Sequence, residues 1–73
     1  MPLTMACAGS EIVVDAINGK DETRRFLENL GFVKGARISV ITEISGNLIV
    51  NVKDTRVAVS RAMANRIMVN AAQ

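Results

Sequence analysis

Turn signals recur so closely along this chain that little fits between them beyond a short strand or a helix of about three turns. They stand at Gly9-Ser10, Asn18-Gly19, Gly31, Val33-Lys34-Gly35, Ser45-Gly46-Asn47 and Asp54. Most of the segments between them are rich in β-branched residues and read as strands. Glu11–Ile17 carries Ile12, Val13 and Val14. Ala36–Ile44 is expected to turn Ile38, Val40 and Ile44 to one face, with Ile41 breaking the alternation. Leu48–Lys53 places Leu48, Val50 and Val52 inward, and Thr55–Val59 does the same with Val57 and Val59. Gly46-Asn47 suits a type II′ hairpin turn between the second and third strands. Ser60 is a candidate cap for one helical turn over Arg61–Asn65, and Ile67 and Val69 make a last short strand. The tail Asn70–Gln73 is expected to fray.

One segment has a helical period instead. Thr23, Phe26, Leu27 and Leu30 recur at i, i+3, i+4 and i+7, which predicts a helix over Asp21–Leu30 with those four side chains inward. Asp21 is a candidate N-cap, and Glu22 adds negative charge to the first turn, where the helix dipole favours it. Asp21 and Arg25 are spaced for a weak ion pair. Gly31 stands where a left-handed residue ends a helix, and Phe32 can fold back onto the last turn. The element order is strand, helix, three strands, a helical turn and a strand. It predicts a mainly β chain forming a small SH3-like barrel, with the Asp21–Leu30 helix between the first two strands and a one-turn helix before the last. At 73 residues this is a single domain, 1–73, with a small core. Aromatic residues are 3% of the chain, Phe26 and Phe32 alone, so that core is aliphatic. The methionines Met5, Met63 and Met68 are expected mainly to fill it, and Cys7 to be partly buried.

The chemistry the chain lacks narrows its function. It contains no histidine, one cysteine and seven scattered carboxylates, so no ligand set for a transition metal is visible and no cofactor is expected. Cys7 and the serines have no base beside them to activate a nucleophile, and the five glycines are isolated turn residues that form no phosphate-binding loop. The chain reads as a non-enzyme. Without Trp or Tyr it lacks the aromatic groove that binds proline-rich peptides. Single-stranded nucleic acid needs stacking platforms in a basic groove. Here net charge is only +2 with the cations scattered, so no nucleic-acid partner is expected despite a pI of about 9.2. The apolar runs are too short for direct membrane insertion, and a lone cysteine without a signal sequence points to the cytoplasm.

With these residues in place, the chain resembles the ferrous iron transport protein A (FeoA-like) family. The resemblance runs from Leu3 to Val69. It rests on Leu3 and Gly9, on Arg25-x-Leu27-x-x-Leu30-Gly31-Phe32-x-x-Gly35, and on Val57-Ala58-Val59 followed by Ala64, Ile67 and Val69. It implies an SH3-like barrel that acts as an accessory or regulator of the large membrane ferrous iron transporter, which carries a GTP-binding domain. The same domain also occurs at the C-terminus of iron- and manganese-dependent repressors; this stretch has no helix-turn-helix, which sets that role aside. The expected function is non-catalytic docking on the cytosolic part of the transporter. Arg24, Arg25, Glu28, Asn29, Phe32 and Lys34, on the helix and the turn after it, are the candidate partner-binding residues. Alternatives are modulation of the transporter's GTPase by an exposed Arg (Arg24, Arg25, Arg56 or Arg61), a homo-oligomer through an exposed strand edge or the barrel's apolar side, and a nucleic-acid-binding small barrel.

Overall fold

A computed structural model of the protein describes residues 1–72. A 3-10 turn, Leu3–Met5, leads into β1 (Glu11–Ile17), α1 (Asp21–Asn29), β2 (Arg37–Ile44), β3 (Asn47–Val52), β4 (Thr55–Ser60), α2 (Arg61–Ala64) and β5 (Ile67–Ala71). The strands form one antiparallel sheet in the order β4-β3-β2-β1-β5. The sheet curls into the expected barrel. α2 and the 3-10 turn lie across the gap between its ends, α2 against β3 and β4 and the turn against α2 and β5.

The core is the inner row of each strand. Ile12 and Val14 of β1, Ile38 and Val40 of β2, Leu48, Val50 and Val52 of β3, Val59 of β4, and Ile67 and Val69 of β5 are all buried. Leu3, Leu27, Phe32 and Ala64 join them from outside the sheet. Each fully buried large aliphatic side chain contributes about 1.5–3 kcal/mol relative to exposure, so a handful of these contacts carries a domain this small. No polar or charged residue is buried among the described residues.

The corner after α1 forms as the sequence suggests. Gly31, at φ +110°, donates its N–H to the Glu28 carbonyl at 3.0 Å. Phe32 donates to the Leu27 carbonyl at 3.1 Å. These are the paired bonds of a Schellman cap, and the buried side chains of Leu27 and Phe32 sit at its two ends. A Cβ on Gly31 would stand 2.6 Å from Cγ1 of Val52. Glycine is therefore needed twice at this position, for its backbone angle and for the close approach of β3.

Several local expectations are corrected. α1 has Lys20 as its N-cap, with no side-chain bond; Asp21 is the first helical residue, and Leu30 is the C-cap. The β2–β3 turn is Ser45-Gly46, both at positive φ, which is the primed type I pattern instead of II′, and β3 begins at Asn47. Lys53 and Asp54, also both at positive φ, close the β3–β4 hairpin. Ile44 was expected inward, yet it is 58% exposed. A β-bulge at Ile41 explains this: Val40 pairs with Val50, but Thr42 pairs with Ile49, so every side chain beyond the bulge changes face. The tail is tied down as far as it is described, with Asn70 and Ala71 in β5 and Ala72 donating to the Glu11 carbonyl; Gln73 lies outside the described residues. Of the methionines, Met63 is partly buried and packs against the core and Met68 is half-buried, but Met5 is 68% exposed, and Cys7 is exposed.

Candidate partner-binding surface

α1 touches the barrel along a narrow stripe. Leu27 is fully buried, while Thr23 and Leu30 are half-buried. At 100° per residue the rest of the helix forms a wide solvent-facing arc. Arg24, Glu28, Asp21, Arg25, Asn29, Glu22 and Phe26 follow one another around it, and all are exposed. Arg24 donates through Nη2 to Oδ1 of Asp21 at 2.7 Å. That contact replaces the Asp21–Arg25 pair that the spacing suggested. Being exposed, it contributes at most about 1 kcal/mol. Among the described residues, Arg25 makes no ion pair. Asp21, Arg24, Arg25 and Glu28 together line a shallow, open and largely polar depression.

Five of the six candidate residues face solvent. Arg24, Arg25, Glu28 and Asn29 share the outer arc, and Lys34 is exposed in the turn beyond it, next to Val33. The sixth does not. Phe32 is 0% exposed, because the Schellman cap folds it back into the core, so it anchors the domain's interior and offers nothing to a partner. The aromatic that does face solvent is Phe26, 52% exposed, which the helical period had placed inward. The stripe beneath α1 is too narrow to cover a residue about 100° from Leu27. Sequence spacing alone gives no signal for that width.

No cluster of three or more His, Cys, Asp and Glu side chains is found among the described residues. Arg61 is paired with Glu43 across the end of β2. No described helix is long and apolar enough to cross a membrane.

The sequence profile of the FeoA domain matches residues 1–71. The chain belongs to the FeoA family. A putative Fe(2+) transport protein A of Methanocaldococcus jannaschii is 31% identical over 72 residues, covering 99% of this chain and 88% of that protein. Among solved structures, an iron uptake regulatory protein (FeoA) is 33% identical and superimposes with a TM-score of 0.87, over 94% of this chain and 92% of that one. FeoA of Stenotrophomonas maltophilia, solved with zinc, is 29% identical with a TM-score of 0.84, over 96% and 89% of the two chains. It is described as a prokaryotic SH3 domain protein and put forward as an activating factor for ferrous iron transport. The FeoA members thus share the barrel read from the turn spacing of this chain.

Proposed function

We propose that this FeoA-family protein is a non-catalytic accessory of ferrous iron uptake. In this reading it works in the cytosol and docks on the cytosolic part of the GTP-binding membrane transporter through the outer arc of α1. The family relatives support the iron-uptake role. The observation that carries the choice of surface is Phe26, the one exposed aromatic of a chain that has two, set on a helix face that also bears the unpaired Arg25. Exposed aromatics and arginines are the side chains most often found to hold interfaces together. Lys34 and Asn29 extend the arc toward the Val33 turn.

The test is binding of the transporter's soluble cytosolic domain to the wild type, to Phe26→Ala and to the double variant Arg24→Glu, Arg25→Glu. A loss of about tenfold or more in affinity is expected for each, with the fold intact by circular dichroism. Affinities equal to wild type in both would remove α1 from the interface.

A second reading is favoured by the same arginine. A cation held by no internal partner is available to a developing phosphate charge; of the four candidate arginines, Arg25 and Arg56 make no ion pair among the described residues, and Arg25, on the α1 arc, is tested first for action on the transporter's GTPase in trans. GTP hydrolysis by the transporter, measured with wild type and Arg25→Ala, separates the readings. Docking alone gives equal rates.

A further inference from the structure

Six asparagines stand in the chain, and five of them precede Leu, Val, Arg or Ala. Only Asn18 precedes a glycine. The side-chain carbonyl carbon of an asparagine lies within reach of the next backbone nitrogen, so the two can close a five-membered ring without any partner. Closure is favoured where that nitrogen is unhindered and its proton is not held. A Cβ on the following residue crowds the approach, and regular structure restrains the backbone. Asn29 lies in α1, and Asn47, Asn51 and Asn70 lie in strands. Asn65 is the C-cap of α2, and the N–H that follows it donates to the Met63 carbonyl.

Asn18 has none of these restraints. It is exposed in the link between β1 and α1, and its side chain makes no hydrogen bond among the described residues. Its own N–H is fixed on the Arg66 carbonyl at 2.7 Å, while the N–H of Gly19 donates to no described residue. Arg66 also lays its side chain over this turn. A Cβ placed on Gly19 would stand 3.1 Å from Nη1 of Arg66 and 3.5 Å from its Cδ. Arg66 makes no ion pair among the described residues, and Asp21, the nearest carboxylate along the chain, is held by Arg24. An uncompensated cation therefore lies beside the Gly19 backbone. A positive charge beside an ionising N–H favours loss of its proton.

We propose that Asn18 is a site of spontaneous deamidation in the folded protein, promoted by Arg66. The Gly19 nitrogen loses its proton to hydroxide and attacks Cγ of Asn18. The N–Cγ bond forms, the Cγ–Nδ2 bond breaks, and Nδ2 takes a proton from water and leaves as ammonia. Water then opens the cyclic imide at one of its two carbonyls, which leaves an aspartyl or an isoaspartyl residue at position 18. Either product sets a carboxylate near the Arg66 guanidinium and adds one negative charge to a chain of net charge +2. The isoaspartyl product also routes the main chain through one additional carbon, within the short link from which α1 starts. None of this depends on what α1 binds.

The test is mass spectrometry of the folded protein after increasing times at neutral pH, with tryptic digestion. The tryptic peptide ending at Lys20 contains Asn18 and no other side-chain amide. It should gain about 1 Da and separate on chromatography into aspartyl and isoaspartyl forms, while the other five asparagines stay intact. Arg66→Gln should slow the conversion about threefold or more, and 1 M sodium chloride should slow the wild type by screening the same charge. Should Arg66→Gln fail to fold, the salt dependence of the wild type decides in its place. An Asn18 that stays intact in the folded protein while it converts in the urea-unfolded chain overturns the proposal. So does a conversion that runs at the wild-type rate in folded Arg66→Gln.

Discussion

The two helices of this barrel solve opposite problems. α1 is nine residues long, yet it buries only Leu27 and leaves an arc of seven side chains in water. α2 has four residues and buries Ala64, with Ser60 capping its start and the barrel gap beneath it. The longer helix is secured at its C-terminal end by backbone geometry, through Gly31 and Phe32. The shorter one is secured at its N-terminal end by a side chain, since Ser60 Oγ accepts from Met63 N–H at 3.2 Å. A helix of one turn cannot stand without its surroundings, so α2 belongs to the barrel. α1 is attached along one line and presents the rest of itself outward.

The sharpest way to break this contrast is Leu27→Ala. It removes the one fully buried side chain of α1 and should cost about 2–5 kcal/mol in urea denaturation. A much smaller loss would mean that α1 is held by its termini alone. Gly31→Ala comes next. It forces a side chain onto a backbone angle that glycine alone adopts freely and into Val52, for a loss of about 2–3 kcal/mol in the same measurement. Ser60→Ala should cost about 1 kcal/mol, the usual worth of an N-cap. If α2 were self-sufficient the loss would vanish. Phe26→Ala should change stability by less than about 0.5 kcal/mol while weakening transporter binding, the combination expected of a side chain kept for a partner. Asp21→Ala should change stability least. It removes an exposed i,i+3 pair, an effect of about 0.2–0.5 kcal/mol or less that shrinks further in 1 M salt.

Local rules carried much of the fold. β1 has the bounds its β-branched run suggested, and α1 begins within a residue of its acidic start. The Schellman corner could be read because every interaction in it lies within a few residues. The errors arise where the deciding contact is distant. Ile44 faces out because of a bulge that only the pairing with β3 defines. Leu3, whose burial no local pattern indicates, is fully buried because the 3-10 turn docks on α2 and β5, far along the chain. Phe26 faces solvent where the helical period placed it inward, and Phe32 is buried although it was also read as a partner contact. One depends on how wide a stripe the barrel offers α1. The other was legible as a cap residue, and only its reading as a partner anchor failed. The polar part of the candidate arc was visible because charged residues on an amphipathic helix have one place to go.

The pairing of β1 with β5 joins the first strand to the last. Protein synthesis is vectorial, so β1 can acquire its β2 neighbour while its other side waits for the whole meander and α2 to emerge. Until then Ile12 and Val14 lie beside a bare row of backbone groups, the kind of surface on which nascent chains pair wrongly. The barrel is therefore sealed late, and non-local closure of this kind is slow relative to helix or hairpin formation. In a crowded cell, the hazardous interval for this small domain comes before β5 leaves the ribosome.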